Sequence, residues 1–416
     1  MDMKRAGASD PGELVGAALQ LGPLASSGRG SDRVQFFDCL RALAIFVVVV
    51  GHYRHDVFPG GSIGVSVFFA LSGYLITSIL LAEPVLDRHS AWRFVVRRFL
   101  RVWPPYFVSA LAILVLMFLA VLTLERLGIN NEGYYKLVAR LGKYSQEFPQ
   151  QLLFVRNPDW LGMAVGVFWT LQIEFWFYVT MPALMLAVGR GRGLVVALSL
   201  ALVCSLALRF MPSVSSTWLV ASIYKVSPLI LHIAKWFDTL LAGALLAVIA
   251  HRSILRQVSK DRFQTVSVFC LASLMFIVLF ISHDDRQLVW PLIATISGLI
   301  TCVWILIFLR SSAEPNFPAV AWFGRISYSV YLVHAIPLDY MGGLPWPKAG
   351  LLAYGKPMTF MLATVGVAVL LHYFVEKPAI RAGRFLTRRR ARVVDSPASA
   401  SAFEPILTRA DEAPAR

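Results

Sequence analysis

Two ionisable side chains, Arg41 and His52, lie in a segment that is otherwise mostly apolar, FFDCLRALAIFVVVVGHYRH. Such groups are costly at membrane depth unless they face a partner or a water-filled cavity. A helix turns by about 100° per residue, so the pair lies on one face, about 16 Å apart along the axis. This spacing suits a long molecule whose anionic head stays at the arginine while its reactive end reaches the imidazole. Alternatively, Arg41 extends to the headgroups and His52 only marks the helix end.

Three arginines, Arg97, Arg98 and Arg101, fall in the segment RRFLRVWPPY beside a later apolar run. Their spacing brings at least two of them to one helix face, ahead of Pro104, where we expect the third membrane helix to open. Guanidinium groups bind phosphates through paired hydrogen bonds, so the cluster is a candidate phosphate clamp. Anchoring of the chain at the cytosolic membrane surface is the alternative.

Glu174 is the carboxylate of the segment FWTLQIEFWFYVT. Helix rise places it at about the depth of His52 in a hydrocarbon core of about 30 Å. A carboxylate beside an imidazole fixes its tautomer and raises its basicity, as a general base requires, so we predict that Glu174 orients His52. The alternative is a structural glutamate that bonds to Trp169 or Tyr178.

Two polar groups occur near the end of the apolar part of the chain. The segment WFGRISYSVYLVHAIPL sets Ser327, Tyr331 and His334 at i, i+4 and i+7, one stripe of a helix. Such a stripe faces a cavity, or it only forms hydrogen bonds between helices. Glu376, in HYFVEKP, is expected at the level of Arg41, and we predict a structural pair between it and an arginine.

The elements that must position these residues are membrane helices. Hydrophobic residues make up 57% of the chain and charged residues 15%, which excludes an ordinary soluble domain. A helix needs about 20 apolar residues to cross the hydrocarbon core. We predict an all-α, polytopic membrane bundle of about ten transmembrane helices, with apolar runs near 36–56, 62–82, 105–125, 168–188, 193–210, 234–250, 264–282, 289–309, 322–342 and 351–375.

The formal charge of +15 comes from arginines and lysines in short, alternate loops, which predicts a multi-pass protein of the plasma (inner) membrane with both termini cytosolic. It does not indicate nucleic-acid binding. The 126–167 connection is then the largest external segment. We expect a flexible leader over 1–33, a membrane domain over 34–380 and a basic, disordered tail over 381–416. The four cysteines form no C-x-x-C pair, and no metal site is predicted.

Six ordered segments together resemble the membrane-bound acyltransferase 3 family, which includes bacterial O-acetylases of surface glycans and acylases of macrolides. They are the Arg41 and His52 pair as R-x10-H, GVSVFFALSGYLI, RRFLRVWPPY, WTLQIEFWFY, GRISYSVYLVH and VEKP, spread over about 34–380. The resemblance implies an acyl-CoA donor bound from the cytosol, with no metal. It also implies a catalytic His52, a donor-site or structural role for the four arginines, and a supporting role for Glu174, Ser327 and Tyr331. We expect further supporting roles for Asp38, Trp169, His334 and Glu376.

The residues and the resemblance lead to one hypothesis. An acyl-CoA donor gives an acetyl or other short acyl group to a hydroxyl of an extracytoplasmic or lipid-linked carbohydrate, with His52 as the general base. A covalent acyl-histidine relay is a variant of this mechanism. The alternative acceptor is a small secondary metabolite such as a macrolide. A proton-coupled transporter or flippase is the alternative of another class, because buried His, Glu and Arg also form proton relays.

Overall fold

A computed structural model describes residues 30–54, 58, 60–155, 163–210, 233–234, 236–252, 257–281, 289–311, 313, 316–341 and 355–387. Regular structure in these ranges is helical, apart from one isolated bridge between Val258 and Ser311. The helices up to the middle of the chain are α1 (Gly30–Tyr53), α2 (Gly61–Ala82), α3 (Arg88–Arg126), α4 (Glu132–Leu152), α5 (Met163–Gly166), α6 (Trp169–Val188) and α7 (Arg192–Phe210).

The second half continues the helical pattern and includes two π-helical turns. Its elements are α8 (Phe237–Arg252), α9 (Lys260–Phe276) with a π turn (Ile277–Ile281), α10 (Val289–Arg310), α11 (Pro318–Arg325), α12 (Ser327–Val333), α13 (Ala335–Met341), α14 (Gly355–Leu371) with a π turn (His372–Glu376), and α15 (Lys377–Leu386).

Eight helical stretches in the described ranges are long and apolar enough to cross a membrane, by length and composition. They comprise α1, α2, α3, α6, α7, α9 with its π turn, α10, and α14 continued into α15. The predicted class, an all-α polytopic membrane protein, is confirmed. The runs predicted at 234–250 and 322–342 are helical as well, but the first is the 16-residue α8 and the second is divided among α11, α12 and α13.

The third membrane helix was predicted to begin at Pro104, and this prediction is wrong. Helix α3 begins at Arg88 and contains both Pro104 and Pro105. Its start is fixed by a capping box, in which the Ser90 N–H donates to the Asp87 carboxylate at 2.7 Å and the Asp87 N–H donates to the Ser90 hydroxyl at 2.8 Å. The same Ser90 N–H holds the pKa of the exposed Asp87 carboxyl below its usual range. Because α3 begins early, the arginine cluster lies within the helix that also crosses the membrane.

The 126–167 connection contains α4, which lies antiparallel against α3. The Tyr144 hydroxyl donates to the Ala110 carbonyl at 3.1 Å, and the Tyr106 hydroxyl donates to the Gln151 carbonyl at 3.0 Å. Trp103 Nε1 donates to the Leu152 carbonyl at 3.1 Å. These tyrosine and tryptophan bonds align α4 with the middle of α3.

The core that carries the site depends on close contact between α2 and α8. A Cβ atom on Gly73 would lie 1.9 Å from the Leu240 carbonyl oxygen, and one on Gly243 would lie 2.0 Å from the Ala70 carbonyl oxygen. Only glycine fits at either position, as expected where two helix backbones touch. These two glycines therefore let α2 and α8 pack in direct backbone contact.

The tail predicted to be disordered from residue 381 begins in regular structure instead. Helix α15 continues through Leu386, and Gly383 packs against Leu100 of α3. This contact explains why the basic segment stays helical past the predicted boundary. The remaining tail, 388–416, and the predicted leader as far as residue 29 lie outside the described residues.

Candidate active site

A cavity of about 800 Å³, counting the space that opens outward, lies among five helices. Helix α1 contributes Arg41, α3 contributes Arg98 and Arg101, and α6 contributes Glu174. The other walls come from α2 and α12: Val65, Phe68, Phe69, Ser72, Leu75 and Ile76 line one side, and Ser327, Tyr328 and Tyr331 line another. The cavity thus joins a mostly apolar wall to a cationic one.

Positive charge exceeds negative charge in the cavity wall. Among the described residues, three arginines and one carboxylate residue, Glu174, line it. The Arg98 guanidinium also stacks between aromatic rings, with its carbon 5.4 Å from the Phe94 centroid and 5.7 Å from the Tyr178 centroid. A low-dielectric cavity with a cationic excess attracts anions such as phosphates.

Arg97, the third arginine of the predicted clamp, is not among the described residues that line the cavity. Its backbone lies on the side of α3 that faces α15, where a Cβ on Gly383 would be 3.7 Å from the Arg97 Cα. Successive residues on a helix differ by about 100° in direction, so Arg98 and Arg101 can share a wall that excludes Arg97. Of the four arginines predicted to form a donor site, Arg41, Arg98 and Arg101 line the cavity and Arg97 does not.

Asp38 holds Arg41 in place from within the same helix. Its carboxylate lies 3.2 Å from the Arg41 guanidinium and 3.9 Å from that of Arg325, and Asp38 is 3% exposed. Helix α11 approaches closely here, because a Cβ on Gly324 would fall 1.8 Å from the Asp38 carbonyl oxygen. Asp38 thus links the arginine of the cavity to the packing of α1 against α11.

Glu174 does not contact His52, contrary to the prediction that it orients the imidazole. Its Oε1 atom accepts hydrogen bonds from the Ser72 hydroxyl at 2.7 Å and the Tyr178 hydroxyl at 2.8 Å. Depth arithmetic placed the two groups at one level but could not fix their directions around the bundle. Of the alternatives from sequence, a bond to Tyr178 is present. Glu174 belongs to the arginine-lined cavity.

Tyr331 separates this cavity from the histidines. Tyr331 lines the cavity, and its hydroxyl donates to the Val167 carbonyl at 2.5 Å and lies 2.6 Å from the Thr170 hydroxyl. On its other side, its ring centroid is 5.6 Å from that of His334. Ser327 and Tyr331 share the predicted stripe facing the cavity, and His334, at the end of α12, continues it toward α1.

His52 contacts His334, with 3.4 Å between His52 Nδ1 and His334 Nε2. His52 Nδ1 also lies 2.9 Å from the Val48 carbonyl oxygen, and His334 Nδ1 lies 2.7 Å from the Tyr331 carbonyl oxygen. His52 is not among the described residues that line the cavity. A single passage from Arg41 to His52 is therefore not formed by these residues, and Tyr331 with His334 stands between the two ends.

Two further residues predicted to support the site, Glu376 and Trp169, lie outside the described cavity wall. Glu376 is 1% exposed and pairs with His372 at 2.8 Å and with the Ser329 hydroxyl at 2.7 Å, rather than with an arginine. The π turn that contains both His372 and Glu376 brings them together. Trp169 packs against Trp236, with 4.5 Å between ring centroids, and is absent from the described cavity wall.

Sequence reasoning missed Ser72 and Thr170 as site residues. Thr170 could have been found, since Thr170, Glu174 and Tyr178 repeat at i, i+4 and i+8 and so share one face of α6. Ser72 carried no such signal, because a serine among small residues is explained by helix packing alone.

The chain matches the model of the "Acyltransferase domain" family over residues 34–375. It therefore belongs to this family of acyltransferases, and the family predicted from the six segments is confirmed. The enzyme class predicted from sequence, an acyltransferase, is confirmed with it.

Similar proteins carry related names. Several Staphylococcus aureus proteins named as candidate O-acetyltransferases, one of them from strain COL, are 25% identical over 340 residues, 73% of this chain and 50% of the relative. Peptidoglycan O-acetyltransferase OatA of Listeria monocytogenes is 40% identical over 83 residues, 20% of this chain and 13% of the relative. Nodulation protein 10 of Rhizobium leguminosarum is 25% identical over 408 residues, 90% of this chain and 100% of the relative.

The chain thus spans about half the length of the Staphylococcus aureus relatives that it matches. No solved structure shows significant similarity to it.

Proposed function

We propose that the protein transfers an acetyl or other short acyl group from cytosolic acyl-CoA to a hydroxyl of an extracytoplasmic or lipid-linked carbohydrate. The observation that carries the proposal is the cavity lined by Arg41, Arg98, Arg101 and Glu174, with Tyr331 between this cavity and the contacting pair His334 and His52. Membership of an acyltransferase family supports the reaction type. The name of the Listeria relative, a peptidoglycan O-acetyltransferase, supports a carbohydrate acceptor.

The donor fits the two kinds of wall in the cavity. The phosphates of CoA are polyanionic, and the guanidiniums of Arg98 and Arg101 can each bind a phosphate through paired hydrogen bonds. The pantetheine arm is long and uncharged, and it would lie along the apolar wall formed by α2. Its thioester end would then reach Tyr331, which stands between the cavity and the histidines, so transfer with His52 as the base requires the Tyr331 side chain to move aside.

The transfer step uses His52 as the general base. The acceptor hydroxyl gives its proton to His52 while its oxygen forms a bond to the thioester carbonyl carbon. The carbon–sulfur bond breaks, and the CoA thiolate takes the proton from His52 to leave as the thiol. The histidine thereby returns to its neutral state.

The test is the variant His52→Ala, purified in lipid nanodiscs and assayed for thiol release from acetyl-CoA in the presence of carbohydrate acceptors. Loss of a general base lowers the transfer rate by about 10² to 10⁴-fold, and we expect that loss while acetyl-CoA still binds. The control is His251→Ala, because His251 is exposed at the end of α8. Normal acyl transfer by His52→Ala would overturn the proposal.

A further inference from the structure

The two histidines at the end of α1 and α12 form a chain of contacts that ends on backbone carbonyls. His334 is fully buried, at 0% exposure, and its Nδ1 lies 2.7 Å from the Tyr331 carbonyl oxygen. Its Nε2 faces His52 Nδ1 at 3.4 Å. His52 Nδ1 has a second neighbour, the Val48 carbonyl oxygen at 2.9 Å.

The carbonyl oxygens determine where the protons lie in the neutral rings. A carbonyl oxygen can only accept a hydrogen bond, so His334 carries its proton on Nδ1 and presents the lone pair of Nε2 toward His52. His52 likewise carries its proton on Nδ1, where it is shared between Val48 and His334. The basic nitrogen of His52 is then Nε2, the one that must accept a proton in acyl transfer.

We propose that His334 is the positioning residue for His52: it accepts a hydrogen bond from His52 Nδ1, whose proton the Val48 carbonyl also binds, and by holding the ring orientation it directs Nε2 at the acceptor hydroxyl. This inference rests on the proposed function, and it gives His334 the role that the sequence suggested for Glu174. When His52 takes up the proton of the acceptor, its Nδ1–H becomes a stronger donor, and His334 Nε2 stabilises the imidazolium.

A neutral orienting group suits this environment. The carboxylate of Glu174 is held in the arginine-lined cavity by Ser72 and Tyr178, where it offsets one of three guanidiniums. A second buried carboxylate next to His52 would raise the basicity of the imidazole and also require a partner of its own. The neutral His334 ring can orient His52 without adding a buried charge, because its own Nδ1–H is bonded to a backbone carbonyl of α12.

Two substitutions of similar size separate this role from a structural one. In His334→Gln the longer side chain can put an amide oxygen near the position of Nε2, where it accepts from His52 Nδ1. In His334→Asn the shorter amide can still donate to the Tyr331 carbonyl but cannot reach His52. We expect His334→Asn to lower kcat by about tenfold, the effect of about 1.4 kcal/mol. We expect His334→Gln to recover most of this loss, and KM for acetyl-CoA to stay unchanged in both.

Equal loss in the two variants, or better activity in His334→Asn, would overturn the inference. If both variants are inactive but His52→Ala transfers acyl groups normally, the proposed function itself fails. If His52→Ala is inactive while both His334 variants have full activity, only the positioning role fails.

A measurement on the unaltered protein keeps the inference testable if either variant does not fold. Val333–His334 is the one Val–His step in the sequence and Gly51–His52 the one Gly–His step, so pairwise ¹³C and ¹⁵N labelling assigns both residues by solid-state NMR in nanodiscs. We expect a protonated Nδ1 and an unprotonated Nε2 in each neutral ring. A proton on His334 Nε2 would exclude the proposed hydrogen bond.

Discussion

Arg98 illustrates how a charged residue is accommodated between packed helices. Its guanidinium lies against the rings of Phe94 and Tyr178 and also lines the cavity, so its aromatic contacts leave it in position to bind an anion. A membrane anchor would instead extend to the headgroups. The neighbouring Arg97, which is not part of the described cavity wall, provides a natural comparison.

We predict that Arg98→Ala weakens acetyl-CoA binding by about 10 to 100-fold, because hydrogen bonds to charged groups contribute about 1.5–3 kcal/mol. Arg97→Ala should change the affinity by less than about threefold, within the small effects expected away from a binding contact. Isothermal titration calorimetry in detergent or nanodiscs compares the two variants directly. Equal affinities in both variants would contradict the assignment of the donor cavity.

At the residue scale, sequence spacing found the types of group but not their partners. The Ser327 and Tyr331 stripe follows from the helical repeat, and it does face the cavity. The pairing of Glu174 with His52 was wrong because equal depth does not imply equal direction around a bundle. The contact between His52 and His334 could not be predicted, since it depends on how α12 packs against α1.

At the scale of the element, the C-terminal end of α4 accepts hydrogen bonds from α3 through its backbone carbonyls, but it also buries the side-chain amide of Gln151 without a partner among the described residues. Gln151 is 1% exposed, and neither its amide nitrogen nor its amide oxygen has a hydrogen-bond partner in the described part of the chain. Its backbone carbonyl, in contrast, accepts from Tyr106. A buried amide without a partner costs about 1–3 kcal/mol.

We therefore predict that Gln151→Leu raises the thermal stability of the purified protein, or at least leaves it unchanged, because the substitution removes that unpaired amide. The matched control is Gln150→Leu, an adjacent glutamine that is exposed, where we expect a shift near zero. Differential scanning fluorimetry in one detergent measures both. A clear loss of stability in Gln151→Leu alone would mean that the amide binds a water or ligand.

The presence of the membrane helices could be predicted from the sequence more reliably than the residues at which they begin and end. Apolar runs identified the membrane helices because about 20 residues must cross the core. The start of α3 predicted at Pro104 is too late, because the capping box of Asp87 and Ser90 begins the helix at Arg88 and the two prolines lie inside it. The break of the ninth run at Ile326, between α11 and α12, has no apolar signature at all.

For the whole molecule, orientation in the membrane remains a prediction from the distribution of basic residues. Helix α3 has 39 residues, about 58 Å of helix, which exceeds a hydrocarbon core of about 30 Å. The segments at its two ends should therefore lie on opposite sides of the membrane. Val85 precedes the helix and Asn130 follows it, and both are exposed.

We predict that a membrane-impermeant maleimide applied to intact cells labels Asn130→Cys but not Val85→Cys, each in a background without the four native cysteines. Permeabilised cells provide the control, in which both positions should react. The reverse pattern would place the termini outside and exclude a donor cavity that is filled from the cytosol.

The ion pair between Asp38 and Arg41 bears on how the chain enters the bilayer during synthesis. The two residues are three apart on α1, so they can neutralise each other before any later helix exists. Arg325 and the glutamate of the cavity arrive only when α6 and α11 have been made. The first helix can thus be inserted with its charge already balanced and wait for the rest of the site to assemble around it.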